Sequence, residues 1–234
     1  MEVGKRYATG VLMKTVVLLR SGMMRKCHVP FCRAVGGVTR LLTLMVFLTC
    51  SDNTEISSPL FLKQSLKELK QASRNHSTKK KRSSSREKAR KNLVRVHEKV
   101  VNRRTDWFWK LAHQLTDQFD YLFFETLNLK GMQRLWGRKI SDLAFSEFLK
   151  ILEFVASKKG KVVTYIDRWT PSSKTCNNCN HILDKLSLDV RNWICPNCLS
   201  NNRRDYNASL IIHKVGVTTL RLGDVSQLNA AISV

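Results

Sequence analysis

Two Cys-x-x-Cys pairs constrain this chain more tightly than any other feature. Cys176-Asn177-Asn178-Cys179 and Cys195-Pro196-Asn197-Cys198 are separated by fifteen residues. Four thiolates at that spacing can close a tetrahedral Zn²⁺ site, with each pair forming one turn of a ribbon. The alternatives are four free core cysteines or a disulfide framework. Two matched pairs, with Trp193 between them and Pro196 inside the second, favour the metal. All four donors would be cysteine, so no coordination position is left for a substrate water. The ion is expected to hold structure rather than perform chemistry.

Charge points to the class of partner. The 234-residue chain carries 41 Lys and Arg against 18 Asp and Glu, a formal net charge of +23. That excess favours a polyanion, because neutralising phosphates releases counterions and supplies much of the binding energy. A membrane surface and a ribosomal-type role are the competing readings, and nucleic acid is preferred. The length allows one or two domains with a real core. Of the seven cysteines, Cys27, Cys32 and Cys50 lie outside the ribbon and show no pairing pattern, so a reducing cytoplasm is the expected compartment. Val11 to Leu19 is apolar but interrupted by Lys14, with no small-residue cleavage pattern after it, so no signal peptide is expected. Leu41 to Cys50 is too short to cross a bilayer and reads as a buried strand.

Residues 1–36 show no periodicity and are not expected to form a folded unit. From Gly37 to Thr49 a run of Val, Leu, Thr, Met and Phe predicts one or two buried strands, with a turn at Ser51-Asp52-Asn53 and a short return at Glu55-Ile56. Leu62, Leu66 and Leu69 predict a helix from Phe61 to Arg74. After the link Lys79 to Ser85, the spacing of Ala89, Leu93, Val96 and Val100 predicts a second helix from Arg86 to Leu115. Lys63 to Arg104 contains sixteen Lys or Arg and only three Glu. An ordinary solvated face is the plain reading of such a hairpin. An imbalance this large favours a phosphate-binding face, with Lys79, Lys80, Lys81, Arg82, Arg86, Lys88, Arg90, Lys91, Arg95, Arg103 and Arg104 as candidates.

Alternating strand and helix come next. Tyr121 to Phe124 reads as a strand, and Ser141 to Lys158 as a helix capped by Ser141 with Asp142 in its first turn, ended by Gly160. Val162 to Ile166 reads as a strand, and Asp205 to Val215 as a last helix. The arrangement is α/β. Glu125 stands at a strand end and Asp205 at a helix start, positions from which two carboxylates can share divalent ions for phosphodiester cleavage. Taken alone they also fit a surface residue and a helix cap.

Several stretches in order carry a family resemblance. Phe124-Glu125-Thr126-Leu127-Asn128-Leu129-Lys130-Gly131-Met132 resembles the second RuvC motif of transposon-encoded TnpB/OrfB proteins. Arg168-Trp169-Thr170-Pro171-Ser172-Ser173-Lys174-Thr175-Cys176 resembles the entry to their zinc ribbon, and Arg204-Asp205-Tyr206-Asn207-Ala208 their third RuvC motif. Asn102-Arg103-Arg104-Thr105-Asp106 is similar to a motif of their helical region, and the tail from Thr219 to Val225 is also similar. The likeness spans roughly residues 37–234. It implies an α/β, ribonuclease H-like (RuvC) domain with an inserted helical hairpin and a four-cysteine zinc ribbon. It also implies RNA-guided, Mg²⁺-dependent DNA cleavage linked to insertion sequences, with DNA and guide RNA as partners. Glu125 and Asp205 match the second and third catalytic acids.

The first acid has no match. Gly37-Val38-Thr39-Arg40-Leu41 resembles the stretch downstream of that acid, which places Val35 at the Asp position, and residues 3–51 contain no Asp or Glu. Valine offers no oxygen to a hard cation. The family's N-terminal half, which grips guide RNA and the target-adjacent duplex, has no counterpart either, and residues 1–36 read as out-of-frame or unrelated sequence. The resulting division is 1–36 unpatterned, 37–60 first RuvC-like strands and 61–118 basic hairpin. It continues with 119–168 strand–helix–strand, 169–202 ribbon, 203–216 last helix and 217–234 tail. Three functions remain open: a metal-dependent endonuclease, a nuclease-dead nucleic-acid-binding regulator or remnant, and a ribbon scaffold for protein contacts.

Overall fold

The computed structural model describes residues 13–18, 46–136, 142–187 and 189–220. In chain order the elements are β1 (Met13–Leu18), β2 (Val46–Cys50), β3 (Glu55–Ser57), α1 (Phe61–Thr78), α2 (Ser84–Gln118) and β4 (Tyr121–Glu125). They continue as α3 (Leu129–Trp136), α4 (Phe145–Lys158), β5 (Val162–Ile166), β6 (Asn192–Ile194), β7 (Asn201–Arg203) and α5 (Arg204–Thr219). The described residues divide into two compact units. One holds the strands, the ribbon and α5. The other holds residues 58–114 with 129–136 and 142–155. No described helix is long and apolar enough to cross a membrane.

The first unit is built on a mixed five-stranded sheet in the order β3-β2-β1-β4-β5. β1 runs antiparallel to β2, with Val16 opposite Cys50, and parallel to β4, with Thr15 opposite Phe123. β4 and β5 are parallel in continuous register from Tyr121↔Val162 to Glu125↔Ile166. The predicted turn after β2 forms, with Asn53 at φ 65° and its N–H donating to the Cys50 carbonyl at 3.0 Å. Asparagine tolerates that left-handed conformation better than most residues.

β1 corrects the sequence reading. Residues 1–36 are expected to supply no folded element, yet Met13–Leu18 is the central strand. Six residues interrupted by Lys14 carry too little pattern for either period to register. What remains is the β-branched run Thr15-Val16-Val17, a weak strand signal when read alone. The strand expected to open at Gly37 is described only from Val46, and Val35 and Gly37 lie outside the described residues, as do Cys27, Cys32, Ser141 and the tail beyond Leu220.

α5 covers one face of the sheet. Phe123 and Ile166 pack with Ile212 and Val217, all at most 3% exposed. Each such side chain contributes about 1.5–3 kcal/mol by leaving water. Ser209 Oγ donates to the Cys50 carbonyl of β2 at 3.3 Å, so the helix spans the sheet from β5 to β2. Gly216 is what lets it lie so close: a β-carbon there would stand 2.2 Å from Phe123 Cδ1.

In the second unit α1 and α2 form the predicted hairpin, each longer than the periodicity indicates. Leu69, Ala72, Val96 and Val100 make its core. α4 starts four residues later than predicted, after Ala144 at φ 42°. Asp142 does not serve in its first turn. Its two carboxylate oxygens accept the Leu62 and Lys63 N–H groups at 2.9 and 3.2 Å, capping α1 from 80 residues away. The start of α1 offers no acid and no side-chain cap of its own, and its free N–H groups attract the carboxylate. α2 and α4 meet through Phe108 and Phe148, whose rings lie 5.5 Å apart.

Alanine at Gly216 tests the seating of α5. Alanine favours an isolated helix over glycine by about 1 kcal/mol. Overpacking against Phe123 is nevertheless expected to dominate, lowering stability by about 1–3 kcal/mol. Urea unfolding should show a lower midpoint with an unchanged slope.

Candidate metal centre and carboxylate site

The four ribbon cysteines converge. Their sulfur atoms all lie within 4.8 Å of one another, with Cys176 Sγ 3.7 Å from Cys198 Sγ and Cys179 Sγ 3.5 Å from Cys195 Sγ. These distances are far beyond a disulfide bond of about 2.0 Å. They match the edge of a tetrathiolate tetrahedron around an ion at a metal–sulfur distance of 2.3 Å, about 3.8 Å. The four cysteines are therefore positioned to bind a metal ion. The knuckle geometry comes from the chain itself: the Asn180 N–H donates to the Cys176 carbonyl at 2.9 Å and the Leu199 N–H to the Cys195 carbonyl at 2.9 Å. Asn180 and Leu199 both take positive φ, 59° and 58°. β6 and β7 zip the second knuckle, and Trp193 packs beneath the sulfurs with Leu183, Leu186 and Val190 around them.

Polar groups beside the sulfurs carry no sequence signal of their own. Ser200 Oγ lies 3.2 Å from Cys176 Sγ and 3.1 Å from Cys198 Sγ. The Asn202 side-chain amide stands 3.8 Å from Cys176 Sγ. The Ser200 hydroxyl and backbone N–H draw the Cys198 thiol down to about 5. Burial pushes the Cys176 thiol up, but the Ser200 hydroxyl and the N–H groups of Cys179 and Asn178 more than offset it, leaving it below its ordinary value. Burial raises Cys195 to about 11. Hydrogen bonds to sulfur favour the thiolate that a metal requires. Short polar residues after a knuckle look like any loop, so only the fold distinguishes these two.

The ribbon feeds straight into α5 with no linker: β7 ends at Arg203 and the helix begins at Arg204. Asn207 clasps the first knuckle, accepting the Asn177 N–H at 2.9 Å and donating to the Thr175 carbonyl at 2.6 Å. Lys214 Nζ donates to the Asn177 carbonyl at 2.5 Å. Residues 207–209 are buried in succession, as expected for a helix covered by sheet on one side and ribbon on the other.

Both sequence-predicted carboxylates belong to this unit. Glu125 ends β4 and is 6% exposed. It lies two residues after Phe123, which packs against α5, so it faces the side of the sheet that α5 covers. Asp205 sits in the first turn of α5. Its Oδ2 accepts from Arg191 Nη1 at 3.1 Å. Burial holds this carboxyl above the ordinary aspartate range, against the pull of Arg191 and Arg204, while Glu55 pushes the same way as burial. Arg191 and Glu55 are additions that the sequence does not announce; each is remote from Asp205 along the chain and arrives through β6 and β3. Glu55 is itself held by Arg203, whose other nitrogen donates to Asn53 Oδ1 at 2.9 Å.

The candidate cations of the second unit divide in two. Arg104 pairs with Glu147 at 3.1 Å, Arg90 with Glu87 at 2.7 Å, Arg86 bonds the Lys79 carbonyl at 3.0 Å, and Arg103 lies 4.9 Å from the Phe61 ring centre. Arg86 and Arg103 thus link α2 to α1 and its end, Arg104 links α2 to α4, and Arg90 pairs within α2. Lys79, Lys80, Lys81, Arg82, Lys88, Lys91 and Arg95 are exposed.

Comparison with known proteins bears on this architecture. Residues 42–135 match a family model for a probable transposase, OrfB of the IS605 type, and residues 145–212 match the TNB domain of a Cas12f1-like family. A putative RNA-guided DNA endonuclease of Streptomyces pristinaespiralis is 35% identical over 196 residues, covering 82% of this chain and 47% of the relative. TnpB-like protein L79 of Acanthamoeba polyphaga mimivirus is 29% identical over 138 residues, covering 56% of this chain and 26% of the relative. The chain belongs to the TnpB/OrfB family. It spans about half the length of the Streptomyces relative, at 47%. Among solved structures, the cryo-EM structure of a Cas12f1–sgRNA–target DNA complex matches with a TM-score of 0.53 and 18% identity. That match covers 73% of this chain and 47% of the Cas12f1 chain, and shows a shared fold.

Two substitutions test the site. Cys176→Ser is expected to abolish stoichiometric metal content, measured by elemental analysis, and to lower thermal stability; full retention of metal would refute the ligand set. Asp205→Asn is expected to leave stability at pH 7 unchanged or raised. A carboxyl whose folded pKa lies above its unfolded value contributes stability below the unfolded pKa and loses it as pH rises through the folded one. At pH 7 the charged group is therefore a cost, and the difference between variant and wild type should shrink as acid protonates Asp205. Denaturant midpoints across pH check it.

Proposed function

We propose that this TnpB/OrfB protein binds nucleic acid through a basic hairpin and a zinc-stabilised ribbon, on a ribonuclease H-like (RuvC) unit whose cleavage chemistry is impaired. The sheet supports the RuvC reading: a central β1 antiparallel to β2 and parallel to β4, with a carboxylate at the end of β4 and another where α5 begins. Zinc is the ion that four thiolates with no open position fit best.

One observation carries the impairment. β1 is the strand beside β4, and its six residues, Met13 to Leu18, include no carboxylate; nor does any residue from 3 to 51. Magnesium ions bound at such a site would polarise the scissile phosphate and activate water. Glu125 and Asp205 are the residues that would hold them, and Asp205 already shares its charge with Arg191. Two carboxylates, one of them partly neutralised, give a hard cation few of the oxygens it needs.

DNA, with guide RNA, is the proposed partner. The exposed cations from Lys79 to Arg95 supply phosphate contacts, and the net charge of +23 supports the same conclusion. A supercoiled plasmid incubated with Mg²⁺ or Mn²⁺ and co-purified RNA should be nicked no faster than by Glu125→Ala and Asp205→Ala variants. Nicking by the wild type that both variants abolish would establish an active nuclease instead. Affinity for single strands and duplex should fall linearly on log–log axes as salt rises. Replacing Lys79, Lys80 and Lys81 with Gln should shrink the slope by about 0.9 for each duplex phosphate no longer neutralised.

A further inference from the structure

Just beyond β5 the chain presents an aromatic residue that the fold does not use. Trp169 is 81% exposed, more than any other large apolar side chain among the described residues. The turn around it is ordered. The Trp169 N–H donates to Asp167 Oδ1 at 3.3 Å, the Thr170 N–H to the Asp167 carbonyl at 3.1 Å, and the Ser172 N–H to the Thr170 carbonyl at 2.8 Å. Ser172, three residues further, is 2% exposed and anchors the segment. The indole is thus held in solvent by a turn built to keep it there. Its one neighbour of note is a cation, the Arg168 guanidinium carbon 5.6 Å from the ring centroid.

Its place relative to the carboxylates is fixed by the sheet. Ile166, the last residue of β5, pairs with Glu125, the last of β4. Trp169 comes three residues later, and consecutive Cα atoms are 3.8 Å apart, so its Cα lies at most about 16 Å from that of Glu125 once the strand spacing is added. That is a reach of a few nucleotides along a strand.

We infer that Trp169 and Arg168 form a stacking subsite for one unpaired nucleobase of a strand that passes the Glu125 end of the sheet. The inference rests on the nucleic-acid reading proposed above. An open indole offers the π-face on which any base stacks, and the adjoining guanidinium can take the flanking phosphate. A protein surface is the poorer occupant. It would have to bury the Arg168 charge with the ring and supply a matched acid, or the desolvation cost would go uncompensated.

The test measures fluorescence anisotropy of labelled oligonucleotides with the full chain. The probes are an oligothymidylate of about 20 nucleotides, longer than one compact site, and an abasic strand of equal length. Trp169→Ala is expected to weaken oligothymidylate binding about tenfold and to leave abasic binding within about twofold, because stacking disappears while the phosphate contacts remain. Trp169→Tyr, which keeps a π-face, should recover most of the affinity. Metal content and circular dichroism of each variant must equal wild type. Equal losses on both strands, or no loss on oligothymidylate, would overturn the subsite while leaving the nucleic-acid reading intact; the second result would hand the indole to a protein contact. Failure of the wild type to bind either strand would overturn both.

Discussion

The fit of α5 over the Phe123 ring is the contact on which the site depends. The ring lies against Gly216 at a distance no side chain would allow, and Ile212 and Val217 close over the same patch. That seating fixes the azimuth and height of the whole helix. Everything upstream inherits the position: Ser209 on the end of β2, Asn207 on the first knuckle, and Asp205 in the opening turn. A helix displaced by one methyl group would shift the ribbon and the carboxylate together.

The ribbon in turn is more than an appendage. Its sulfurs are held beside Trp193 and the partly buried Leu183, Leu186 and Val190, its second knuckle leads through β7 into α5, and Arg191, the residue before β6, supplies the guanidinium that bonds Asp205. The cysteine cluster and the carboxylate are therefore joined by a short structural path. Acid acts at both ends of that path: it protonates ligand thiolates, which weakens their hold on an ion, and it protonates the Asp205 carboxylate.

Legibility in the sequence tracks the strength of local signals. The cysteine pairs, the hairpin periodicity and the turn at Asp52-Asn53 are short-range patterns with strong chemistry, and the corresponding structures are present. The family is legible because several motifs fall in order. β1 is not, since six residues of Met, Lys, Thr, Val, Val and Leu become a strand only through partners 30 and more than 100 residues away. Asp142 misleads for a related reason: its nearest helix is the sequence neighbour, but the unfilled N–H groups belong to α1. Glu55 and Arg191 reach Asp205 only through tertiary pairing, for which a single sequence carries no marker.

The outer strand of the sheet has a bearing on how this protein survives in solution. β3 is only three residues long, and an edge strand ordinarily offers its free backbone groups to any passing chain. Here Arg203 reaches from β7 to both Asn53 and Glu55, laying a charged side chain along that border. An ion held by the four cysteines would steady the ribbon that carries β7, and with it the Arg203 side chain that covers this border. Wherever the ribbon loosens, that cover loosens too, and strand pairing between molecules becomes the hazard.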